Sequence, residues 1–172
     1  ENLHNNRSVR NFWLICEEGE AFSAAGASAW QEAGRFTPDQ DGSRVTAGLM
    51  WHTLTRSCRR LGLETEITAF CPRQENAEIL LVKVRNTGPL PRRMTPVAAV
   101  PLYGRSADNI RDHRNVTSML HRIWTTGDGV FVRPTMSFDE RGHRPNHTIY
   151  YVSGAGADGQ NPTGFYPTVD DL

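Results

Sequence analysis

The stretch Leu63-Glu64-Thr65-Glu66-Ile67-Thr68-Ala69-Phe70 decides the fold. Leu63, Thr65, Ile67 and Ala69 alternate with Glu64, Glu66 and Thr68, so successive side chains serve a dry face and a wet one. That period of two belongs to a strand whose sheet buries one side. Upstream, Val45, Ala47, Leu49 and Trp51 alternate with Thr46, Gly48, Met50 and His52 in the same manner. Downstream, Ala77 to Arg85 opens with the apolar run Ile79-Leu80-Leu81-Val82 and then alternates through Val84. It is short and partly β-branched, which favours a buried strand, although periodicity alone does not separate it from a helix. Further strands are expected at Arg10–Cys16, Met94–Tyr103, Val116–Thr126, Val130–Phe138 and His147–Ser153. Asp41-Gly42, Asn86-Thr87-Gly88-Pro89, Gly127-Asp128-Gly129 and Gly159 supply the turns between them. Pro96 and Pro101 cannot donate to a ladder, so their strand must be an edge, bulged or broken. The one short helix expected lies near Ser106–Arg111. About eight strands without an amphipathic helix define an all-β, antiparallel β-sandwich.

Composition narrows the function classes. The 172 residues suffice for one domain with a proper core. Nineteen basic and nineteen acidic residues cancel, so no global field selects nucleic acid or a membrane surface as partner. No apolar run approaches the roughly 20 residues of a membrane span, and the first residues do not show the charged-then-apolar pattern expected of a secretory signal. Cys16, Cys58 and Cys71 are too sparse for a disulfide framework and lack zinc spacing; they are expected as free thiols in a reducing cytoplasm. The chain opens on Glu1 and stops at Leu172, ends that suggest a piece of a longer polypeptide.

Chemistry concentrates in one loop: Arg105, Asp108, Asn109, Arg111, Asp112, His113 and Arg114 crowd together after an apolar strand. Guanidinium forks bind oxyanions, and Asp or Asn pairs with neighbouring hydroxyls, so such a loop suits sugars and phosphate. The alternative is a long connection tied down by its own ion pairs. Asp139 and Glu140 form a carboxylate pair, but neighbours in a strand point to opposite faces and make a poor acid and base for glycoside cleavage. The flat rings of Trp30 and Trp51, and of Trp124, could stack on pyranose rings or could fill a core or an interface. The stretch Ala21–Trp30, rich in small residues, lets backbones approach closely or a partner surface lie flat. Phosphate-binding, dinucleotide-binding and serine-nucleophile motifs do not occur, and nothing has metal-ligand spacing. No catalytic residue, metal or cofactor is therefore assigned.

Three stretches together carry a resemblance: Ser23-Ala24-Ala25-Gly26-Ala27-Ser28-Ala29-Trp30-Gln31, then Gly48-Leu49-Met50-Trp51-His52-Thr53-Leu54-Thr55-Arg56, then Tyr103 to Arg114 with Val116-Thr117-Ser118. With Leu63–Phe70 and the turn after Arg85-Asn86-Thr87, the chain from about Asn11 to Leu172 resembles the N-terminal β-sandwich of the cellobiose phosphorylase-like family (glycoside hydrolase family 94, formerly glycosyltransferase family 36). Within it the chain is most similar to the 1,2-β-oligoglucan phosphorylase kind. The resemblance implies a parent enzyme that cleaves a β-glucan oligosaccharide with inorganic phosphate as co-substrate, inverting the anomeric carbon to give α-glucose 1-phosphate. It places catalysis in a separate helical barrel, which this chain does not contain. It implies a homodimer, in which the Arg105–Arg114 loop would reach toward a neighbouring active site. The family's sandwich is larger than this chain, so part of it would be missing. A free-standing carbohydrate-binding module and a complete small hydrolase are the competing expectations.

Overall fold

The computed structural model describes residues 10–17, 19–102, 119–139 and 142–167. They divide into two compact units, one formed by residues 10–99 and one by the described residues from 100 onward. Both are built from antiparallel strands, and the fold is all-β.

The first unit contains β1 (Asn11–Cys16), β2 (Ala21–Ser23), α1 (Ala29–Ala33), β3 (Gly42–Gly48), β4 (Trp51–Cys58), β5 (Leu63–Phe70), β6 (Ile79–Asn86) and β7 (Met94–Ala99). Strands β3-β4-β5-β6 form a meander, and β2-β1-β7 form a second, three-stranded sheet. In β5 the alternation is realised residue by residue: Leu63, Thr65, Ile67 and Ala69 are buried, and the residues between them are half-buried. Register carries this across the meander. Ile67 pairs with Leu54 on one side and Val82 on the other, and Cys58 pairs with Leu63. Against this face pack Leu14 and Cys16 of β1, Phe22 of β2 and Met94 of β7, so the two sheets share one sandwich-like core. Each large apolar side chain buried there contributes roughly 1.5–3 kcal/mol.

The layer is only part-covered. The core lies at the end of the meander where β4 turns into β5, while all of β3 is exposed. Val45, Leu80 and Val84 occupy the same face of the meander as Ile67, yet they remain exposed. Pro96 pairs with Leu14 in β7, an edge strand, which is the place a proline can occupy without breaking a ladder.

Two local features depart from the sequence expectation. The alternating run Val45–Trp51 is not one strand; it turns at Leu49-Met50, and Gly48 pairs with Trp51 across the hairpin. Met50 takes φ 63°, a conformation usually left to glycine or asparagine, so no turn residue marks the reversal. Gly48 is needed there because the Trp51 indole lies where a Cβ would stand. The second departure is α1, whose signal is the Ser28-Ala29-Trp30-Gln31 capping box. The Ser28 hydroxyl accepts from the Gln31 amide, and the Gln31 side chain accepts from the Ser28 amide.

The second unit holds β8 (His121–Thr126), β9 (Gly129–Pro134), β10 (Met136–Asp139), β11 (Gly142–Pro145) and β12 (Tyr150–Val152). Strand β9 lies between β8 and β12, and β10 pairs with β11 in a hairpin. The expected strand Val130–Phe138 is split at Thr135, whose amide and hydroxyl both donate to the Leu120 carbonyl. The expected helix at Ser106–Arg111 lies outside the described residues. Among the described residues no helix is long and apolar enough to cross a membrane.

Candidate functional site

Arg56 of β4 organises the first unit's polar centre. Its guanidinium donates to the carbonyls of Ser23 and Gly26 and thereby closes the small-residue loop down onto the sheet. Asn11 Oδ1 accepts from the Ser23 hydroxyl at 2.7 Å and from the Gly26 amide at 3.3 Å. The Gln31 amide group donates to Ser23 O and to Asp41 Oδ2 at 2.8 Å. The run of alanine, glycine and serine is thus a loop pinned by side chains reaching in from β1, α1 and β4. Burial lowers the Arg56 pKa, with Asp41 pulling the other way. Burial also pushes the Cys58 thiol up to about 11, so it is protonated at neutral pH. None of the three cysteines forms a disulfide; Cys16 and Cys58 are buried and Cys71 is half-buried.

The two tryptophans singled out for sugar stacking differ in setting. Trp30 stacks on Phe22, carries the Arg60 guanidinium 4.8 Å from its ring centroid, and donates its indole N–H to Ala21 O. Its ring is engaged within the protein. Trp51 is 42% exposed on the outer face of the meander, paired with Phe70 in β5, which pairs in turn with Ile79. Leu49 and Met50 are exposed beside it at the hairpin tip. The next row holds Thr53 and Thr68, whose hydroxyls are 3.0 Å apart. Beyond them Lys83 bridges Glu66 at 2.8 Å. This face therefore grades from aromatic through hydroxyl to charged. Chemically it offers an apolar platform beside neutral hydrogen-bonding groups, the pairing a neutral sugar presents in reverse.

The second unit carries a feature that sequence alone named only in part. Trp124, Phe131 and Tyr151 are register partners on β8, β9 and β12. Their rings stack in series, with centroids 5.3 Å and then 4.3 Å apart. The Tyr151 hydroxyl is fixed on the Asp128 carbonyl at 2.8 Å. Aromatic residues in neighbouring strand runs were the only available signal, because stacking depends on register.

Arg105, Asp108, Asn109, Arg111, Asp112, His113 and Arg114 all lie outside the described residues, as does Glu140. The backbone of Asp139 pairs with Gly142 at the end of the β10–β11 hairpin. Among the described residues no cluster of His, Cys, Asp and Glu could hold a metal ion. Searched against models of known protein families the chain matches none, and no curated protein matches it.

Proposed function

We propose that this chain is the N-terminal, non-catalytic β-sandwich domain of an inverting β-glucoside phosphorylase, contributing to carbohydrate binding, domain packing and the dimer interface. In the reaction of the parent enzyme, inorganic phosphate attacks the anomeric carbon of a β-glucan oligosaccharide. The glycosidic bond breaks, the shortened glucan leaves with a proton, and α-glucose 1-phosphate is released. Catalysis belongs on this reading to a helical barrel of the same polypeptide, in a homodimeric, cytoplasmic enzyme.

The observation that carries the reading is how the resembling stretches meet. Arg56, which ends the second stretch, donates to Ser23 O and Gly26 O in the first. Two of the three resembling stretches, far apart in sequence, are thus hydrogen-bonded to each other, which supports the reading. Trp51, within the second stretch, supports sugar contact through its exposed ring beside the Thr53–Thr68 pair. The exposed Val45, Leu80 and Val84 support packing against a further domain.

The test is phosphorolysis by the natural full-length polypeptide on sophoro-, laminari- and cello-oligosaccharides. Phosphate-dependent release of α-glucose 1-phosphate by that polypeptide, and none by these 172 residues, is the expected outcome. Turnover by the isolated chain, or phosphate-independent hydrolysis, would overturn it. A free-standing carbohydrate-binding module is the second reading, favoured by the exposed aromatic rings; it expects micromolar glucan binding by the chain unaided.

A further inference from the structure

On the face of the second unit's sheet that carries the aromatic stack, the next register row is Arg122 on β8 opposite Arg133 on β9. Arg122 precedes Trp124 by two residues and Arg133 follows Phe131 by two, so all four share one face. Both arginines are exposed, and neither guanidinium has an ion pair or hydrogen bond among the described residues. Like charges directly opposite each other in an antiparallel pair repel and destabilise the sheet. Elsewhere the protein avoids this: Glu66 faces Lys83 and Glu64 faces Arg85 on adjacent strands of the meander. Local rules broken without a compensating partner are expected at functional or strained sites.

We propose that the Arg122–Arg133 pair and the Trp124–Phe131–Tyr151 stack form a binding site for an acidic sugar, a pyranose carrying a carboxylate or phosphate. Two guanidinium forks on neighbouring strands converge on one oxyanion and neutralise each other's repulsion through it. One face of Trp124 is covered by Phe131 at 5.3 Å with the rings 5° from parallel. Its other face lies at the β8 edge of the described sheet, where a pyranose would continue the stack. The rows of a strand repeat every second residue, roughly 7 Å apart, which is the span from an acid group to a sugar ring in the same chain. A nucleic acid is disfavoured: the chain has zero net charge, and two arginines make no track for a polyphosphate backbone. The sugar half of this site rests on the carbohydrate reading above; the anion half rests on the arginines alone.

The experiment titrates the intact chain with a matched pair of ligands, cellohexaose and the β-1,4-linked glucuronic acid hexamer, with hexathymidylate as a third probe. Binding is followed by calorimetry and tryptophan fluorescence. The uronate hexamer should bind about tenfold tighter than cellohexaose, and salt should erase that preference. R122A and R133A should each abolish the preference, and W124A should weaken both sugars. Circular dichroism verifies folding, and Arg133→Lys, which keeps the charge, should retain part of the preference. A phosphorylated cello-oligosaccharide that competes with the uronate shows the anion site to be general; one that does not restricts it to carboxylates. Equal affinity for the two hexamers, or a preference untouched by R122A and R133A, overturns the site while leaving glucan binding intact. Tighter binding of hexathymidylate overturns it in favour of nucleic acid. No binding of any probe overturns the site, whereas the phosphorylase reading stands or falls on phosphorolysis.

Discussion

At the residue scale, Arg56 closes the small-residue loop. Removing it leaves the Ser23 and Gly26 carbonyls without their charged donor in a part-buried position. Hydrogen bonds from charged groups are worth about 1.5–3 kcal/mol each, and non-additivity keeps the pair below their sum. R56A should therefore lower stability by about 2–4 kcal/mol in urea unfolding, and a variant within about 0.5 kcal/mol of the parent would show the loop to be held by Asn11 and Gln31 alone. Cys58 gives a pH dependence. Its ordinary pKa of 9.0 is raised to about 11 by burial, so the neutral thiol favours the folded chain. That contribution is complete below pH 9 and is lost as pH climbs toward 11. Stability should fall across that interval, and the fall should be smaller in Cys58→Ser, which does not titrate there. At neutral pH an alkylating reagent should modify half-buried Cys71 before Cys16 or Cys58.

At the scale of elements, the β3–β4 hairpin and α1 show how close chemistry overrides pattern. Val45, Ala47, Leu49 and Trp51 alternate as one strand would, yet the chain reverses at Leu49-Met50. No Gly, Asn or Pro stands in the loop, and Met50 takes positive φ because pairing of β3 with β4 along seven residues outweighs one strained residue. Gly48 is the small residue that makes the reversal possible, since the Trp51 ring occupies its side-chain position. G48V should displace that ring, shift its fluorescence and lower stability by about 1–3 kcal/mol; an unchanged spectrum would refute the contact. Helix α1 was not expected from sequence: its one signal is the capping box, and five residues are too few for a hydrophobic period to develop. S28A should cost about 1 kcal/mol, measured by the same unfolding curves.

At the scale of the whole molecule, the meander's part-covered face is the feature with consequences. Val45, Leu80 and Val84 are exposed although register puts them on the core side. Val45→Lys, at the most exposed of the three, should therefore change stability by less than about 0.5 kcal/mol while lowering binding of a hydrophobic dye. A loss of several kcal/mol would mean that Val45 is packed. The β5 alternation, the positive φ of Gly159 and the edge proline were readable in sequence because strand period, turn chemistry and a missing donor are properties of single residues and their neighbours. Gly42 and Gly129 instead open strands, and no sequence signal marked the positive φ of Gly19, Gly62 and Gly142. Which strands pair, and in what register, was not, because cross-strand partners are distant in sequence and one apolar strand is as good a neighbour as another. Register set Arg122 opposite Arg133, aligned Trp124 with Phe131 and Tyr151, and left Trp51 open on the outer face, whereas the packing of α1 against Phe22 engaged the Trp30 ring. Local chemistry in the chain determined that this is antiparallel sheet. The long-range pairing of those sheets decided which of its polar and aromatic groups can meet a ligand.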